Sequence, residues 1–95
     1  MSGTVRHMAR IDRLLEVMHA NPSDVRYRDL DTVCVHHFGT PRLRSGSHAV
    51  LKTPWRGDPR VNIQNDHGRA KPYQVRQVLR AVARLTELSR DQDTP

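Results

Sequence analysis

A chain of 95 residues is enough for one small domain with a single modest core, because a chain of this size buries only roughly 60–70% of the surface that it exposes when unfolded. Its one cysteine, Cys34, excludes an internal disulfide and a cysteine-based metal cluster, and fits a reducing compartment. No apolar run is long enough for a membrane span or a signal peptide, and Arg6, Arg10, Asp12 and Arg13 punctuate the N-terminus, so the chain reads as cytoplasmic with no membrane contact.

Residues 1–7 have no periodic pattern and read as a disordered start. From Met8 the apolar positions Met8, Ile11, Leu14, Leu15 and Met18 recur at three- and four-residue steps, predicting an amphipathic helix over 8–20. Asn21-Pro22-Ser23 ends it, since proline cannot continue a helix and disfavours a helical conformation in the residue before it. A short extended piece, Val25-Arg26-Tyr27, leads to a second helix over 28–38, with Leu30, Val33, Cys34 and Phe38 on one side and Gly39 as its stop. His36 and His37 fall in its last turn, where partial positive charge suits the helix dipole; adjacent helical positions diverge by about 100° and share a metal ion poorly, so no metal site is expected.

Two short strands, 42–44 and 47–53, meet at a Ser-Gly turn, and a third covers 60–64. Alternation predicts Leu43 on one face and Arg42 and Arg44 on the other; Ala49 and Leu51 oppose His48, Val50 and Lys52; Val61 and Ile63 oppose Arg60, Asn62 and Gln64. Between the second and third strands, residues 54–59 are rich in turn formers, and Trp55 there either stacks on a base or, the reading we favour, packs over a neighbouring strand. Asn65-Asp66-His67-Gly68 reads as a turn with an exposed histidine. The last helix, 72–88, opens on Pro72, carries Val75, Val78, Leu79, Val82 and Leu85 on one stripe and Arg76, Arg80 and Arg84 on another, and leaves 89–95 as a frayed tail.

These elements predict an α+β domain over 8–88: a three-stranded antiparallel meander covered on one face by helices, with the other face bare and polar. The net charge of +6 is concentrated, because residues 1–39 cancel, residues 40–84 carry +8 and residues 85–95 carry −2. Such a concentration on the sheet and last helix suits a polyanion such as nucleic acid, or an acidic protein. On the polar face His48, just past Gly46 and beside Ser47, is the expected proton-transfer group facing an anionic substrate. The bland alternatives are an exposed strand histidine and a glycine kept for its turn.

The Gly46-Ser47-His48 motif follows a helix ending in Phe38-Gly39, and a third strand leads to Lys71-Pro72-Tyr73-Gln74-Val75-Arg76 opening the last helix. In this order the elements resemble the HicA family of bacterial toxins over about residues 24–85, and the Asn21–Tyr27 entry is similar to that of longer members with an extra N-terminal helix. The resemblance implies a double-stranded-RNA-binding-domain-like fold and the toxin of a toxin–antitoxin pair, an mRNA-cleaving endoribonuclease. It also implies His48 as the catalytic residue, no cofactor or metal, and a HicB-type antitoxin as partner.

RNA carries its own nucleophile, the 2′-hydroxyl, so cleavage needs a base, an acid for the leaving oxygen and cations for the phosphorane. Imidazole, with an ordinary pKa of about 6.5, serves as either base or acid near neutrality. Arg44, Lys52 and Arg60 are the expected phosphate contacts, with Arg42, Ser47, Lys71 and Arg76 as further RNA-binding residues and Gly46 forming the turn. Two rival readings remain: a non-catalytic RNA-binding module, and a basic module that docks an acidic protein.

Overall fold

Ile11, Leu14, Leu15 and Met18 form the inner stripe of the first helix, α1 (Gly3–Ala20), with Ile11 and Met18 fully buried. A computed structural model describes residues 3–55 and 60–93 of the chain. In it α1 stops at Ala20 as the Asn21-Pro22 break requires, with the Asn21 N–H donating to the Val17 carbonyl at 3.0 Å. Helix α2 (Tyr27–Phe38) buries Leu30, Val33 and Cys34 and ends at Gly39, whose φ of 83° lies in the region that favours glycine. Its N–H closes the last turn on the Val35 carbonyl.

Four strands follow in a meander, β1 (Leu43–Ser45), β2 (His48–Leu51), β3 (Val61–Asp66) and β4 (Arg69–Ala70), each antiparallel to the next and ordered β1-β2-β3-β4. Helix α3 (Pro72–Asp93) then returns beneath the sheet, burying Val75, Val78, Leu79, Ala81 and Val82. Ala49, Leu51, Val61, Ile63 and Ala70 project from the sheet into the same core, so all three helices lie on one side and the other side is uncovered. Helices α2 and α3 pack on β3, while α1 packs chiefly on those two helices. Full burial of side chains such as Leu30, Leu51 and Ile63 contributes about 1.5–3 kcal/mol each.

The α+β architecture and the bare sheet face agree with the sequence pattern, and four details differ. The sheet has four strands, not three. The Asp66–Arg69 and Asn65–Ala70 pairs close a hairpin over His67-Gly68, whose φ values of 54° and 86° suit a two-residue loop. Alternation could not reveal β4 because it is two residues long. The outer edge of β4 is covered by the extended piece after α1, where the Ala70 N–H donates to the Val25 carbonyl at 2.9 Å and the Tyr27 N–H to the Gly68 carbonyl at 3.0 Å.

Second, the phase of β1 is opposite to the expected one. The turn is Gly46-Ser47 rather than Ser45-Gly46, so Ser45 faces His48, Arg44 faces Ala49 and Leu43 faces Val50. Directly paired residues share a sheet face, and a slip of one residue exchanges the two faces. Leu43 therefore stands on the open face, 59% exposed, and Arg44 on the helix side.

Third, helix extends past the apolar stripe at both ends: α1 begins at Gly3 rather than 8, and α3 runs to Asp93 rather than 88. Once a helix is nucleated, each added residue gains a hydrogen bond without needing a packed face. The remainder of the two expected irregular termini, residues 1–2 and 94–95, lies outside the described residues, as do residues 56–59 of the predicted loop. Fourth, other limits shift by one to two residues: α2 is 27–38 against 28–38, so that Tyr27 opens the helix, β1 is 43–45 against 42–44, β2 is 48–51 against 47–53, and β3 is 61–66 against 60–64.

Candidate functional site

Gly46 has a φ of 55°, a conformation that glycine enters without the steric cost of a Cβ, and it sets the turn that delivers His48 to the first position of β2. The Asn65 N–H donates to the Ser47 carbonyl at 2.7 Å and ties this turn to β3. His48 pairs with Ser45 on one side and with Gln64 on the other, giving a row Ser45–His48–Gln64 across the open face at strand spacings of about 4.8 Å. Leu43, Val50 and Asn62 make the adjoining row. His48 is exposed, and among the described residues its ring has no hydrogen-bond or ion-pair partner.

The Gln64 N–H points away from β2 at the place where β4 has already ended, and the side chain of Gln74 replaces the missing ladder. Its Oε1 accepts from Gln64 at 2.8 Å, and Gln74 is only 4% exposed. The Nε2 of Gln74 donates to the Tyr73 hydroxyl oxygen at 3.3 Å, and Tyr73 itself is 60% exposed. The first turn of α3 thus brings a buried amide and an exposed phenol to the strand that carries the His48 row. Neither was expected from the sequence. The signal was local: two polar side chains directly after Lys71-Pro72, one at a position that the 3.6-residue period assigns to the core.

The expected cations are not gathered around His48. The Arg44 guanidinium donates to Asp31 Oδ1 of α2 at 2.9 Å, which holds its pKa above the usual arginine value. Burial, and then the charge of Asp31, pushes the nearby Tyr27 hydroxyl up as well. Lys52 and Arg60 flank the far ends of β2 and β3, where Leu51 pairs with Val61, three residues and about 10 Å along the strand from His48. Arg42 is exposed before β1, its N–H donating to the Val50 carbonyl at 2.8 Å, and Arg76 is exposed on α3. Lys71 comes nearest in register. It lies one step beyond the Asn65–Ala70 pair, level with Gln64, with its ammonium 4.0 Å from Asp66 Oδ2. Arg69, opposite Asp66, is ion-paired with Asp24. The open face is therefore polar with one apolar spot, and its cations stand on the perimeter.

The remaining titratable groups are placed differently. Burial, with some help from Asp31, pushes the Cys34 thiol up to about 12, so it stays protonated at neutral pH and is no nucleophile. His36 and His37 meet edge to face with centroids 4.9 Å apart. Burial lowers the His37 pKa, the neighbouring His36 adds to this, and its Nε2 is shielded with no partner among the described residues. His67 sits exposed in its turn, with Nδ1 3.1 Å from Asp66 Oδ1. Among the described residues no three His, Cys, Asp or Glu side chains are grouped to hold a metal ion, and no helix is long and apolar enough to cross a membrane.

Chemically, the row offers an exposed imidazole that can give or take a proton, flanked by a hydroxyl and an amide that can hydrogen-bond a ligand oxygen. Compared with models of known protein families, with characterised proteins and with solved structures, this chain has no match.

Proposed function

We propose that the protein is a HicA-type endoribonuclease, the toxin of a toxin–antitoxin pair, acting on mRNA in the cytoplasm with His48 as its acid–base group. The observation that carries this reading is His48 itself, exposed at the start of β2 on the uncovered sheet face, in one row with Ser45 and Gln64. The order helix, strands, helix in α2–β1–β2–β3–β4–α3, with one sheet face free, supports a double-stranded-RNA-binding-domain-like arrangement in which that face meets RNA.

In this reaction the 2′-oxygen attacks phosphorus as its proton passes to a base, and the bond to the 5′-oxygen breaks as that oxygen gains a proton. Imidazole can take the first proton and return one to the leaving oxygen, and no metal or cofactor is needed. Lys71, level with Gln64, is the cation best set to meet developing phosphorane charge, while Ser47 and Arg42 border the same turn and strand. Arg76 would serve the RNA path outside this row. Leu43, exposed beside Val50, gives a HicB-type antitoxin an apolar contact on the face that carries His48.

Purified, partner-free protein incubated with RNA in excess EDTA tests the reading against folded His48→Ala. Metal-independent cleavage giving 2′,3′-cyclic phosphate and 5′-hydroxyl ends is expected, and 5′-phosphate ends would overturn it. The perimeter placement of the cations and a His48 ring without a partner among the described residues favour one second reading, a non-catalytic RNA-binding module. It predicts RNA binding that survives His48→Ala and no cleavage by either protein.

A further inference from the structure

Trp55, the one tryptophan of the chain, lies after β2 at the end of the sheet remote from His48. With Arg60, Gln77, Arg80 and Arg84 it lines an open cleft of about 280 Å³ between the sheet end and α3. Among the described residues no carboxylate lines this cleft, and neither Arg80 nor Arg84 has an ion-pair partner. The guanidinium carbon of Arg84 stands 4.5 Å from the Trp55 ring centroid, a cation–π contact that holds the charge at the cleft wall. The Trp55 indole N–H is shielded from solvent and, among the described residues, has no acceptor.

We propose that this cleft is a phosphate-ester site, separate from the His48 row. Guanidinium forks pair with the oxygens of phosphate or carboxylate, but several cations around one small cleft suit a group with more than two acceptor oxygens. The volume, at the small end for ligand pockets, accommodates a phosphate with part of its sugar rather than a large apolar ligand. The phosphate comes either from an RNA strand or from a free nucleotide. The site does not depend on His48 being catalytic; where both hold, the two lie at opposite ends of β2 and one strand of RNA engages both.

Because Trp55 is the only tryptophan, its emission reports occupancy of this cleft directly. The intact protein, His48→Ala and the double variant Arg80→Gln/Arg84→Gln, each checked for a native circular dichroism spectrum, are titrated at low salt. The ligands are a 2′-O-methyl oligouridine, which has no free 2′-hydroxyl to attack, uridine 5′-monophosphate and a polyglutamate peptide. The expected result is a saturable change in emission with the oligouridine. Affinity falls roughly tenfold or more in the double variant and far less in His48→Ala. The logarithmic salt dependence drops by about 0.7 for each phosphate contact removed. A matching response to the mononucleotide identifies a nucleotide site, and its lack identifies an RNA-strand site. A response to polyglutamate alone, no response to any ligand, or undiminished affinity in the double variant overturns the proposal. Loss of cleavage in His48→Ala concerns the ribonuclease reading alone, so the two can fail separately.

Discussion

The two ends of the sheet differ in what they can do to a phosphate. At one end His48 stands with Ser45 and Gln64 among neutral side chains, able to move a proton but poor in charge. At the other end Arg60, Arg80 and Arg84 surround Trp55, rich in charge, and among the described residues that line this cleft none titrates near neutrality. Proton transfer and anion attraction, which the sequence pattern would place on one basic face, are separated by about the length of β2. A ligand spanning both ends would gain affinity at one and chemistry at the other.

The largest effect expected from breaking this contrast is His48→Ala, which should lower the cleavage rate by about 10²–10⁴-fold, measured as initial rates on labelled RNA. RNA affinity should change far less, because the charge lies elsewhere. Both ends hang on β3, whose Ile63 is fully buried between Asn62 and Gln64 in sequence. Ile63→Ala should destabilise the fold by about 2–4 kcal/mol in urea unfolding, and a loss below about 1 kcal/mol would show that β3 is not held as described.

A smaller effect is expected from pH at the arginine end, where His37, Lys52 and Thr53 line one cavity. Burial lowers the folded-state pKa of His37 below its ordinary 6.5, so between those two values the unfolded chain binds more protons and stability rises with pH. The contribution is complete above the unfolded value and is lost as the pH falls through the folded one. Urea midpoints should therefore drop on acidification from about pH 7 to about pH 5, and His37→Phe should remove part of that drop. The smallest change is expected from Arg44→Ala. Its guanidinium is committed to Asp31 on the helix side, so RNA affinity should fall less than in Arg80→Gln/Arg84→Gln. An equal or larger fall would place Arg44 on the RNA path.

Much of the fold was legible in local patterns. The steps from Ile11 to Met18 and from Val75 to Val82 mark buried helix stripes, and the alternation at Ala49, Leu51, Val61 and Ile63 marks the inner sheet face. The site was legible only in part. His48, Asn62 and Gln64 fall on the open face as alternation requires, because each strand continues through them without a break. Arg44 and Leu43 do not, because the phase of β1 depends on which two residues form the turn, and Ser45-Gly46 and Gly46-Ser47 are nearly equivalent as sequence. Gln74 was hidden for another reason. Its burial answers a backbone donor on β3 that is exposed only because β4 is short.

The sequence by itself determined the α+β class, the three helices and the uncovered polar face, since these follow from periodicity, breakers and the need to bury one stripe per element. It also marked His48 as the histidine on that face, just past the Gly46 turn. Tertiary structure alone decided which cations stand near His48, the fourth strand, the Gln74 bridge and the gathering of Trp55 with Arg60, Arg80 and Arg84. Those depend on register and on contacts between residues far apart in the chain, and nearest-neighbour patterns carry no information about either.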